Sequence, residues 1–183
     1  TPTPDVRTRY NDEDEVSRQS GQAIERILSY SVDTYNFDGT IKSAVQDREL
    51  PGRGQARVRY VPFAYQGKVY QEVNCEHVAW KHYRQGPATR WEDVPWIAFE
   101  HYLTRDQLIK LTDGTPMANV GHNLNLDFTM SQGTDKLKPD TAPNVFKRGH
   151  VWEVWDKSTR KVIWIAPAYA AGPIRMDDDP LGL

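Results

Sequence analysis

The sequence predicts an α+β fold in which two N-terminal helices pack on a mainly antiparallel β-sheet with hairpins. Three observations carry this. Apolar residues recur at helical spacing as far as about residue 48, the period then drops to two, and no regular βαβ alternation follows. Helices first and strands later exclude a Rossmann-type parallel sheet.

The first helix lies in "NDEDEVSRQSGQAIERILSYSVDTYN". Its acidic opening suits the positive end of a helix dipole. Val16, Ser20, Ala23, Ile24, Ile27, Leu28 and Ser31 make one stripe at helical spacing. Asn36 or Asp38 caps a second helix through about Gln46 to Arg48, with Phe37, Ile41, Ala44 and Val45 on its buried face. Ala56, Val58 and Tyr60 then alternate with Gln55, Arg57 and Arg59, the pattern of a half-buried strand. "YQGK" is a turn, and Val69, Gln71 and Val73 begin the return strand.

"EHVAWKHY" reads as another short strand, and "DVPWIAFEHYL" as a strand whose start is set by Pro95. "TRDQLIKL" opens on a threonine that suits a helix N-cap. From residue 113 to 145, Gly, Pro, Asn and Thr dominate, which predicts a long loop or insertion holding at most one short element. "VWEVW" and "VIWI", joined by the polar "DKSTRK", form the clearest hairpin. The chain opens on the extended "TPTPDV" and stops at "DDDPLGL" without a closing helix or strand, so both ends read as cuts through a longer protein. Residues 1–183 are expected to make a single α+β domain.

Hydrophobic content of 38% and charged content of 26% are ordinary globular usage, enough for a proper core. Six tryptophans and nine tyrosines make the core or an interface rich in rings. A net charge of −2 gives no global pull toward nucleic acid. Cys75, the single cysteine, cannot staple the chain and argues for a reducing compartment, or at least against a disulfide scaffold. No apolar run approaches the roughly 20 residues that span a bilayer, so no membrane partner is expected.

"LPGRGQARVRY" places two glycines around Arg53. A phosphate cradle needs a strand before such glycines and a helix after them. Here the order is reversed, and the residues after Gly54 are Gln55, Ala56 and Arg57 rather than a Walker lysine and hydroxyl. Gly52 is expected to stop a helix and Gly54 to make a close-packed entry to a strand, with Gly52 or Gly54 at positive φ.

His77, His82, His101, His122 and His150 show no metal-ligand spacing, and no metal or cofactor is expected. Cys75 and the serines of the first helix lack the contexts of catalytic nucleophiles, and "MDDDP" reads as a solvated acidic run. No catalytic residue is assigned. Arg53, Arg57 and Arg59 form the candidate basic strip for nucleic-acid or partner contact, with Arg57 and Arg59 on one face. Lys81, Arg84 and Arg90, interleaved with rings, make a second strip.

Several segments resemble the portal proteins of P22-like short-tailed bacteriophages. They are "PTPDVRTRYNDED", the run from "AIERILSY" through "LPGRGQARVRYVPF", "CEHVAWKHY", "RWEDVPWIAFEHYLTRDQL" and "VWEVWDKSTRKVIWIA". The resemblance covers most of the chain outside residues 113–145, and none of its motifs is catalytic. It implies a wing-region part of a ring, typically a dodecamer of sister subunits, at one capsid vertex. Double-stranded DNA passes through such a ring during packaging and ejection. Its partners are capsid, terminase and head-completion proteins, and its location is the virion, or the host cytoplasm during assembly.

Three readings therefore compete: a structural assembly module, a nucleic-acid-binding domain using the Arg57/Arg59 face, and a hydrolase pairing His77 or His101 with a carboxylate. The first absorbs the tryptophans as packing. The second requires salt-dependent DNA binding, and the third a metal or a titrating base.

Overall fold

The computed structural model describes residues 4–7, 14–126, 128–129 and 147–179. The fold is α+β with antiparallel sheets. Where the sequence shows no internal boundary, the chain divides into two compact units, Thr1–Trp80 and Lys81–Leu183.

The first unit begins with α1, Glu15–Thr34, and α2, Phe37–Glu49. The Asp14 carboxylate caps α1 by accepting the backbone N–H groups of Val16 and Ser17. Asn36, at φ 51°, makes the left-handed corner between the helices, a conformation asparagine tolerates. A hairpin follows: β1, Ala56–Tyr65, pairs antiparallel with β2, Lys68–His77, around the Gln66–Gly67 turn. Helix α2 packs against β2. The "EHVAWKHY" segment is not one strand. Glu76 and His77 finish β2, Trp80–His82 forms a 3₁₀ turn, and Tyr83 starts the next strand.

The second unit is built on a sheet of β3 (Tyr83–Gln85), β4 (Trp96–Leu103), β6 (Lys147–Asp156), β7 (Lys161–Ile165) and β8 (Arg175–Asp178), in that spatial order. The short β5, Phe128–Thr129, pairs with the start of β6. Strands β6 and β7 are the "VWEVW"/"VIWI" hairpin, with Val154 opposite Ile163. Helix α3, Arg105–Thr112, starts in a capping box between Thr104 and Gln107. Two corrections concern segments read as irregular. The 113–145 stretch holds α4, Ala118–Asn123, and β5, where at most one short element was expected; its residues 130–145 lie outside the described ones. The acidic terminus is not structureless either, because Met176, Asp177 and Asp178 belong to β8 and pair with β7. Three carboxylates in a row mask a strand whose backbone completes the ladder.

The core lies in the second unit. Leu108, Val151 and Ile174 are fully buried, with Leu124 and Ala166 beside them. Leu103, Leu111, Val120, Trp164 and Tyr169 pack around this centre.

Candidate interaction surface

Among the described residues of the first unit, none is fully buried. The stripe expected to face inward on α1 faces out instead: Val16, Ile24, Ile27 and Leu28 are exposed, Ile27 by 63%. The half-buried line along α1 is Ser17, Gly21, Glu25, Ser29 and Val32. On α2, Phe37 and Ala44 are half-buried, but Ile41 and Val45 are exposed.

The hairpin is inverted in the same way. By register, Val58, Tyr60, Val69 and Val73 share one face, and Arg57, Arg59, Val61, Glu72 and Glu76 share the other. The apolar face is open, with Val58 70% and Tyr60 57% exposed, whereas the charged face is half-buried. This corrects the expectation that the arginines lie on the solvent side. Strand alternation fixes which residues share a face, not which face the helices cover.

The basic strip is correspondingly reduced. Arg59 lies 3.4 Å from the Glu76 carboxylate, and Arg57 sits opposite Glu76 in the register. Arg53 stays exposed, and its backbone N–H donates to the Asp47 carbonyl, closing the end of α2. Gly52 has φ +85° with open space around it. A Cβ on Gly54 would overlap the Ala44 carbonyl oxygen, so β1 enters directly against α2. The "LPGRG" segment is thus a helix stop followed by a tight backbone crossing.

The histidines all find carboxylates except His122, which is exposed. His77 Nε2 lies 2.9 Å from Asp47, whose same oxygen accepts the Trp80 backbone N–H, tying the end of β2 to α2. On the core face of the large sheet, His101 Nε2 meets Glu153 Oε2 at 2.8 Å, and Trp155 donates to the other Glu153 oxygen at 2.7 Å. Glu153 is only 4% exposed, so these two bonds satisfy a buried carboxyl group.

On the opposite face, Glu100 accepts from His82 at 2.6 Å and from Tyr102 at 3.1 Å. His150 Nε2 approaches the same carboxylate to 2.7 Å, out of line for a hydrogen bond. Tyr102 stacks on His150, and Arg84 lies 5.8 Å from the Trp152 ring centre. Burial pushes the Glu100 carboxyl up, but the His82 and Tyr102 hydrogen bonds and the His150 charge outweigh it and hold it below its ordinary value. Burial raises the Cys75 thiol, with Glu76 adding to the effect, which opposes thiolate chemistry there. Asp177 pairs with Arg175 at 2.6 Å.

Sequence reasoning missed Glu100 and Glu153. The signal was a lone carboxylate inside each of two apolar strands, "WIAFEHYL" and "VWEVW", since such a group needs a partner when buried.

No protein-family model matches the chain, and no curated protein matches it.

Proposed function

We propose that the chain is a structural assembly module, a wing-region part of a portal ring, whose work is done by contacts with sister subunits and neighbouring capsid proteins. The observation that supports this most is the inverted burial of the first unit. A stripe on α1 and a face of the β1–β2 hairpin both hold large apolar residues in the open. Contiguous exposure of this kind marks an interaction site. The two faces are unlike, one helical and one β. The stripe of one copy can therefore seat on the hairpin face of the next, the head-to-tail kind of contact by which closed rings are held.

The resemblance supplies the rest of the reading: double-stranded DNA in the assembled channel, terminase and head-completion proteins as further partners, and no catalysis by this module. The histidine–carboxylate pairs fit that view, because Glu153 is buried with both oxygens bonded and His77–Asp47 braces a strand end. The nucleic-acid alternative is weakened by the Glu76 carboxylate beside Arg59 and by the half-burial of Arg57.

Sedimentation from micromolar to near-millimolar concentration tests the proposal. The chain should be mostly monomeric at the low end. Mass should grow with concentration, and Ile27→Asp or Val58→Lys should each suppress that growth. Growth unaffected by either change would sink the head-to-tail reading. DNA titrated at two salt concentrations should bind weakly and be released by moderate salt; tight, salt-resistant binding would favour the nucleic-acid module.

A further inference from the structure

At one end of the large sheet, within the second unit, a cleft of about 300 Å³ is walled by three indoles, Trp91, Trp96 and Trp155. Its volume sits at the lower end of small-ligand pockets, roughly 300–1,000 Å³. The walls come from three places. Trp91–Asp93 is a 3₁₀ turn, Trp96 opens β4, and Trp155 with Asp156 closes β6. Two bonds hold the turn in place: the Lys157 backbone N–H donates to Pro95 at 3.0 Å, and its ammonium to the Glu92 carbonyl at 2.6 Å.

Packing does not account for the rings. Trp91 is 65% exposed, and Trp96 is exposed as well. Trp155 uses its N–H on Glu153 and turns ring surface to the cleft.

The charged groups of the lining are Glu92, Asp156, Asp179 and Lys157, a balance of three carboxylates against one ammonium. Asp156 accepts from the Ser158 and Thr159 hydroxyls, which fixes its carboxylate at the rim. Indole faces attract cations through the ring quadrupole, and the attraction grows where water is excluded. Among cations, the planar guanidinium stacks on rings and forks onto carboxylates, which a compact ammonium does not.

We propose that this cleft binds an arginine side chain presented by a segment of a partner protein, stacking it on the indoles within reach of the acidic rim. The proposal does not depend on the portal reading.

The test follows the indole N–H resonances of the full chain by NMR during titration with acetyl-Gly-Arg-Gly-amide. The control peptide carries neutral, isosteric citrulline in place of arginine. Signals of Trp91, Trp96 and Trp155 should shift and saturate in the millimolar range, while those of Trp80 and Trp164 stay still. Trp91→Ala, at an exposed position, should weaken binding by about tenfold or more. Glu92→Gln keeps the backbone carbonyl that holds Lys157 and should weaken it by a few-fold, so the test survives if the tryptophan variant misfolds. Equal binding of the citrulline peptide, or no shift with either peptide, overturns the assignment. Binding of free arginine but not of the peptide overturns the protein-segment source.

Discussion

Leu108, Val151 and Ile174 in the second unit are sealed from solvent, while Ile27, Val58 and Tyr60 in the first stand in the open. Both units are written in amphipathic patterns. What differs is whether the apolar side meets anything. In the second unit α3 and the sheet close on one another, and even the carboxylate on the covered face, Glu153, has both oxygens occupied. In the first, Thr40 donates to the Cys75 carbonyl and Asp47 holds His77 where α2 meets the hairpin, while the apolar sides face outward. Amphipathicity thus marks a face for burial without saying whether the chain itself or another molecule buries it.

The contrast is sharpest in the energetics of single substitutions. Leu108→Ala should destabilise the second unit by about 3 kcal/mol or more, since a fully buried leucine leaves a cavity; urea unfolding followed by tryptophan fluorescence reads it, because five of the six tryptophans lie beyond residue 80. Glu153→Ala should cost about 2 kcal/mol in the same assay by leaving the part-buried N–H groups of His101 and Trp155 without their acceptor. A smaller effect is confined to acid. The Glu100 carboxyl is held below its ordinary value in the folded state, so its contribution is present above the unfolded value and lost as pH falls through the folded one. Glu100→Gln should flatten the acid limb of stability against pH, and an unchanged limb would remove Glu100 from the account.

In the first unit the sensitive positions are backbone ones. Gly52→Ala should cost about 1 kcal/mol because φ is +85° there. Gly54→Ala should cost more, as the added carbon meets the Ala44 carbonyl. Hydrogen exchange of the α2 amides is the readout suited to this unit. Losses of this size at glycines, beside tolerance at leucines and isoleucines, would be the reverse of the second unit.

Much of the fold was legible because local chemistry agrees with it. Thr104 with Gln107, the Gln66–Gly67 turn and the β-branched "VIWI" each specify their own element. Strand β8 was not legible, because Arg175, Asp177 and Asp178 carry no apolar alternation and the strand exists only through its ladder with β7. Helix α4 is one short turn in a Gly- and Asn-rich stretch and gives too few residues for a period. The Arg57/Arg59 face was placed correctly by register but on the wrong side, since which side is covered is a tertiary fact. The histidine partners of Glu100 and Glu153, His82 and His101, lie 18 and 52 residues away in the sequence, beyond any local motif.

Ile27→Ala is expected to do least, and it decides most. At 63% exposure the side chain loses little burial on truncation, so the isolated chain should change by less than about 0.5 kcal/mol. If this residue instead belongs to a stripe that a sister subunit covers, the same substitution should weaken association by far more than it weakens folding. Unfolding of the dilute chain and its mass at high concentration should therefore respond differently to one change. A loss of 2 kcal/mol or more in the dilute chain would mean that α1 is buried within its own unit in solution, a core-type response. The division between a closed unit and an open one would then fall.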